Sequence, residues 1–95
     1  MESIEVLNSS DAIVLSINDV RLIAGNYIWG GGNDYLLIHS YHALDATAIN
    51  NEIGNEIKIK IDGVVKFQGN LASIELISSW KYPPENSGIK IGIPI

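Results

Sequence analysis

Apolar and polar residues alternate most clearly between Glu56 and Ile77. Ile57 and Ile59 are interleaved with Lys58 and Lys60, Val65 and Phe67 flank Lys66, and Ile74 and Leu76 flank Glu75. Successive side chains of a strand point to opposite faces, so this alternation predicts strands with one buried and one wet face. Asp62-Gly63 and Gly69-Asn70 carry turn chemistry and divide the stretch into a three-stranded meander. A two-residue turn at Asp62-Gly63 would set Ile59 against Lys66 and mix the faces. A three-residue turn over Ile61-Asp62-Gly63, with Gly63 left-handed as a bulge, sets Ile59 against Val65 and Ile57 against Phe67. A one-residue slip flips every side chain, so the second register is expected. Across Gly69-Asn70, Phe67 then meets Ala72 and Val65 meets Ile74.

The first third follows a different pattern. Ala12 to Ile17 is apolar except at Ser16, and Val20 to Ala24 is apolar except at Arg21. Asn18-Asp19 between them predicts a tight hairpin with apolar residues on both faces, central in the fold or covered by another element. A strand over Ile4 to Leu7 precedes it across the Asn8-Ser9-Ser10-Asp11 turn. Asn26 to Ser40 predicts a further hairpin around three glycines, and Asp45 to Ile53 a short helix capped by Asp45 and ended by Gly54. Trp80 to Ser87, with Pro83-Pro84, predicts a loop. Ile89, Ile91, Ile93 and Ile95 then alternate with Lys90, Gly92 and Pro94 as a last strand. Pro94 has no N–H to donate, which places that strand at a sheet edge.

Composition agrees with a β fold. Of 95 residues, 46% are hydrophobic and seventeen are isoleucine, a β-branched residue that packs well on a pleated surface. The expected fold is mainly β, a small antiparallel β-barrel or sandwich of about 6–8 strands with one short helix. Residues 1–95 are expected to form a single β-rich domain. With no cysteine, neither disulfides nor thiolate zinc sites can staple it. The first residues, Met1-Glu2-Ser3-Ile4-Glu5, lack the basic and apolar regions of a signal peptide, and no run reaches the ~18 apolar residues of a membrane span. A cytoplasmic protein is the resulting expectation.

Charge restricts the expected partners. Eleven acidic and six basic residues leave a net charge of −5, and Arg21 is the only arginine. Phosphate backbones and anionic membranes are recognised by clustered Lys and Arg, so neither nucleic acid nor a membrane surface is an expected partner.

Each candidate for chemistry has an ordinary alternative. The run Gly30-Gly31-Gly32 leads into Asn33, Asp34 and a strand, not into a helix with a nearby lysine, so it fits a hairpin tip better than a phosphate loop. His39, His42 and Asp45 stand at intervals of three, which would converge on a helix but diverge at the end of a strand. No metal site is therefore expected, and no cofactor. A Ser–His–Asp set can be drawn from Ser40, His42 and Asp45, but no elbow motif presents the serine. The chain is thus expected not to be an enzyme.

Two groups of residues remain. Tyr27, Trp29, Tyr35, Trp80 and Tyr82 fall in or beside the glycine- and proline-bearing loops, and amphipathic rings of this kind serve recognition surfaces. Ile89, Ile91 and Ile93 would line one face of an edge strand that could pair with a neighbouring subunit. The expected function is a non-catalytic protein-interaction module that binds itself as a homo-oligomer or inhibits a protein partner, in keeping with a phage or mobile-element product. The alternative is a β module that binds carbohydrate or another small ligand through the aromatic loops.

Overall fold

The computed structural model describes residues 3–26, 33–77 and 86–94, and only the backbone at 22, 24–26, 33–34 and 94. Eight strands and one short helix follow in the order β1 (Ile4–Leu7), β2 (Ile13–Ile17), β3 (Val20–Asn26), β4 (Asn33–Ser40), α1 (Thr47–Asn50), β5 (Glu56–Ile61), β6 (Val64–Asn70), β7 (Ser73–Ile77) and β8 (Gly88–Pro94). They form two four-stranded sheets, β2-β1-β5-β6 and β3-β4-β8-β7, antiparallel throughout. Among the described residues the sheets do not pair with each other, so the architecture is an open sandwich rather than a closed barrel.

Successive strand pairs alternate between the layers: β1–β2 lies in the first sheet, β3–β4 in the second, β5–β6 in the first and β7–β8 in the second. The links between layers are short at Asn18-Asp19 and at Leu71-Ala72. Two expectations are corrected here. Asn18-Asp19 does not close a hairpin, because β2 pairs with β1 and β3 pairs with β4. A chain apolar on both sides of that turn would leave one face bare as a hairpin. Divided between two sheets, Leu15 and Ile17 enter the core from one layer while Val20 and Ile23 pack on it from the other. Nor is there a three-stranded meander, because β7 crosses to pair with β8. Its inner row, Ile74 and Leu76, stands beside Ile91 and Ile89 and not beside Val65 and Phe67.

The expected three-residue turn at Asp62-Gly63 does not form, and Ile59 and Ile57 stand opposite Phe67 and Gly69 rather than Val65 and Phe67. Asp62 and Gly63 both have positive φ, 50° and 83°, and Ile61 pairs directly with Val64 across them. This is a two-residue turn of the type that matches strand twist. The face-mixing it would cause is cancelled by an extra residue further along: Lys60 pairs with Val65, and Ile59 next pairs with Phe67. Phe67 is therefore buried beside Ile59 as the alternation requires, whereas Val65 falls on the outer row and is 44% exposed.

The core is an isoleucine-rich layer between the sheets. Ile4, Val6, Leu15, Ile17, Ile57, Ile59 and Phe67 face it from the first sheet. Leu36, Ile38, Ile89, Ile91 and Ile93 face it from the second, with Leu71 and Ile49 closing gaps. Each such side chain removed from water contributes about 1.5–3 kcal/mol before entropy is charged against it. The strand β8 is not an edge. It lies between β4 and β7, and Ile89, Ile91 and Ile93 are buried in the core at 0%, 0% and 3% exposure. Pro94 sits opposite Asn33 at the end of the β4–β8 ladder, where a missing donor ends pairing without exposing the strand's flank.

The helix is one turn, shorter than the expected span. Ala46 occupies the N-cap position, while the Asp45 carboxylate accepts hydrogen bonds from the Thr47 N–H (2.9 Å) and hydroxyl (2.7 Å) just ahead of it. Ile49 is buried and Ile53 is 45% exposed, so only one of the two isoleucines within the expected span reaches the core.

Candidate functional site

Among the described strands the open sandwich has four edges, β2 and β6 in one sheet and β3 and β7 in the other. A free edge offers unpaired backbone donors and acceptors to any extended chain, and a bulge that breaks its register is one common way of blunting it. Three of these edges are blunted. In β2 the register passes from Leu15 to Ile13 while the partner advances by one residue, leaving Val14 as the extra residue. In β3 it passes from Val20 to Leu22, with Arg21 extra, and in β6 from Phe67 to Val65, with Lys66 extra. In each pair the bulge lies on the edge strand and not on its inner neighbour, and in two cases the added residue is a cation.

The fourth edge is regular. From Ser73 to Ile77, β7 pairs with β8 residue for residue, without a shift. Its outward side chains are Ser73, Glu75 and Ile77, opposite Gly92, Lys90 and Gly88. Lys90 lays its ammonium 4.8 Å from the centre of the Tyr35 ring on β4, on the side away from β7. Such a cation–π contact holds the lysine toward the middle of the sheet and leaves Glu75 exposed at the margin.

On its inner side β7 borders a groove. Ile74 and Leu76 form one wall, and Leu44, Asp45, Ala46, Thr47, Asn50 and Asn51 around α1 form the other. The groove is open to solvent, and at about 530 Å³ it has room for more than one side chain. Ile74 is half-buried and Leu76 is 36% exposed, so this inner row is only partly covered by the chain itself. A second groove runs along the other flank of the helix, between Ala48 and the edge strand β2, where Ile13 is 55% exposed.

The residues singled out by sequence are distributed as follows. Tyr35 is described and 39% exposed, under Lys90. Tyr27, Trp29, Trp80 and Tyr82 lie outside the described residues, as do Gly30, Gly31 and Gly32. The segments that carry them leave the second sheet at opposite ends: 27–32 joins Asn26 to Asn33, which faces Pro94, whereas 78–85 departs from Ile77, which faces Gly88 at the start of β8. Ile89, Ile91 and Ile93 face the core.

The histidines and Asp45 are engaged separately. His42 Nδ1 meets the Asp19 carboxylate at 2.9 Å on the surface, where the Tyr41 N–H also donates to the Asp19 carbonyl at 3.1 Å. His39 lies on the outer side of β4 against Gly88, its Nδ1 buried without a hydrogen-bond partner among the described residues. Burial, and then the charge of Arg21, push its pKa below the ordinary imidazole value. The carboxylate of Asp45 is held by Thr47, which lowers its pKa. Ser40 is buried, and its hydroxyl accepts from the backbone N–H of His42 at 3.2 Å, not from the imidazole. Ser40, His42 and Asp45 therefore do not form a relay, and no group of three or more candidate metal ligands gathers among the described residues. No helix among them is long and apolar enough to cross a membrane.

No family model, curated protein or solved structure matches the chain.

The unblunted edge is the feature that sequence reasoning missed. Pairing register decides which strand carries an extra residue, and register is a property of two strands. One sequence signal was present: Arg21 and Lys66 each interrupt an otherwise apolar stretch, and both turn out to be bulge residues on edges.

Proposed function

We propose that the protein is a non-catalytic interaction module that engages another polypeptide by adding a strand to β7. The observation that carries this reading is the asymmetry of the edges: β2, β3 and β6 each hold a bulge, while β7 keeps a regular register over its full length. Strand addition takes its affinity from main-chain hydrogen bonds and its selectivity from the alternate side chains of the added strand. Both elements are available at β7, whose flank is not paired with any other described strand and whose inner row opens on the groove beside α1.

Of the two forms of the reading, binding to a different protein is better supported than self-assembly. A second copy carries the same net charge of −5, and an antiparallel β7–β7 pairing would bring two copies of Glu75 directly or diagonally opposite each other. Inhibition of the partner is one consequence such docking could have.

The test is a selection of displayed random peptides against the immobilised protein, followed by hydrogen exchange on the complexes. Slowed exchange confined to the amides of 73–77 is the expected outcome. Binders that protect only other strands, or no binders at all, would overturn the assignment of β7. Light scattering on a sizing column separates the self-associating form, which would give a mass above 10.3 kDa with no peptide present.

A further inference from the structure

Resting on that reading of β7, we infer the chemistry of the chain that binds there: an extended segment of a partner protein with a basic residue between two apolar ones. The inference follows from which β7 side chains a new neighbour would meet. In a β ladder the residue opposite an inward side chain also points inward, and the residue opposite an outward one points outward. Ile74 and Leu76 point inward and line the groove, so the two residues opposite them enter it and meet Leu44 and Ala46. Direct cross-strand contact with Ile74 and Leu76 calls for apolar side chains of moderate size at those positions, although the far wall also carries polar groups. The residue between them stands opposite Glu75, exposed on the outer face.

Charge then selects that middle residue. Lys90, the inner neighbour of Glu75 across the β7–β8 ladder, turns its ammonium onto Tyr35 and so faces away from the free edge. A lysine or arginine in the added strand would lie directly across from the Glu75 carboxylate, whereas a glutamate there would set like charges opposite one another. The net charge of −5 adds a weaker attraction of the same sign during approach.

The experiment compares three short fluorescent peptides that differ only in the central residue of a valine–X–valine core, with X lysine, threonine or glutamate. They are titrated into the intact protein at low salt, using anisotropy. Lysine should bind roughly three- to tenfold more tightly than glutamate, with threonine between, and the spread should narrow in high salt. The exposed substitution Glu75→Lys should reverse the order while lowering the thermal transition by no more than about a few degrees, since the new lysine stands opposite Lys90. If all three bind with equal affinity and protect 73–77 from exchange, strand addition stands and the basic preference is wrong. If none binds and none protects those amides, strand addition itself fails. If the order survives Glu75→Lys, the charge that selects the peptide lies elsewhere and the placement on β7 is overturned.

Discussion

The β5–β6 and β7–β8 pairs occupy comparable places, each supplying one inner and one edge strand to its sheet, yet they are built in different ways. In β5–β6 the turn is two residues of positive φ, the edge strand carries an extra lysine, and the edge side chains Val64 and Val65 are 54% and 44% exposed. In β7–β8 the register is unbroken and the strands are joined through a longer segment. Its inner strand presents three isoleucines to the core. The first pair is finished as an outer boundary. The second has a deeply buried inner strand and an edge left regular. The difference teaches that edges are treated one at a time, and the one regular edge is the feature on which the proposed strand addition rests.

The largest effect separates the two pairs by burial. Ile91→Ala, in the middle of β8, should destabilise the fold by about 2–5 kcal/mol, because a fully buried side chain leaves a cavity. Val65→Ala, on the outer row of β6, should cost less than about 0.5 kcal/mol. Urea unfolding of the two variants checks this. Similar losses would break the comparison, since they would mean that β8 is no more interior than β6.

A second prediction concerns why each pair contains a glycine. Gly63 has a φ of 83°, and a Cβ there would meet nothing within 4 Å, so the constraint is the backbone conformation alone. Gly88 has the reverse problem. A Cβ there would lie 3.1 Å from the carbonyl oxygen of Ile77 and 3.1 Å from His39 Nδ1. Gly63→Ala should cost about 1–2 kcal/mol, and Gly63→Asn less, because asparagine visits the left-handed region more readily. Gly88→Ala should cost about 1–3 kcal/mol, and the larger asparagine more. The order of Ala and Asn should therefore invert between the two sites in thermal unfolding. The same order at both would show that the β8 position is not crowded as described.

A smaller effect is expected from pH. His39 is packed over Gly88, and its folded pKa is lowered first by burial and then by Arg21. The unfolded chain therefore takes up this proton before the folded one does, at a pH near the ordinary histidine value of about 6.5. Above that value the contribution to stability is fully present, and as pH falls toward and through the lowered folded pKa it is lost. Comparing urea midpoints at pH 7.5 and 5.5 should show a fall in the parent protein that is reduced in His39→Gln. An equal fall in both would assign the dependence to other groups. The β5–β6 pair contains no histidine.

The two pairs also differ in how far they could be read from sequence. The inner row Ile57, Ile59 and Phe67 was legible because alternation alone specifies it. How the chain keeps that row after Asp62-Gly63 was not, because a bulge within the strand and a longer turn restore the same alternation. The departure of β7 for the other sheet left no local mark, since Gly69-Asn70 fits a hairpin turn as well as a strand end. Asn18-Asp19 misled for the same reason, and Pro94 pointed to an edge because the end of a strand lacks a donor requirement just as an edge does. Of the surface residues chosen for their chemistry, Tyr35 is exposed beside Lys90. The regular edge of β7, the candidate site, stayed hidden because it is recognised only by where three other strands carry an extra residue.

The smallest stability effect is expected where the binding effect should be clear. Two of the blunted edges carry a cation at the bulge, Arg21 on β3 and Lys66 on β6. Ser73 is exposed at the start of β7, facing outward, and Ser73→Lys would give the regular edge a similar charge without changing its register. The folding free energy should move by less than about 0.5 kcal/mol, as for exposed sites generally. A lysine-centred peptide should nevertheless bind more weakly and slow exchange at 73–77 less, because the new cation repels the basic strand and must be desolvated beside it. If binding were unaffected while stability also held, charge at the edge would not be what keeps β3 and β6 closed, and the bulges alone would carry that role. A restoration of binding on further substitution to Ser73→Thr, which keeps the edge neutral, would confirm that the ammonium and not the loss of serine was responsible.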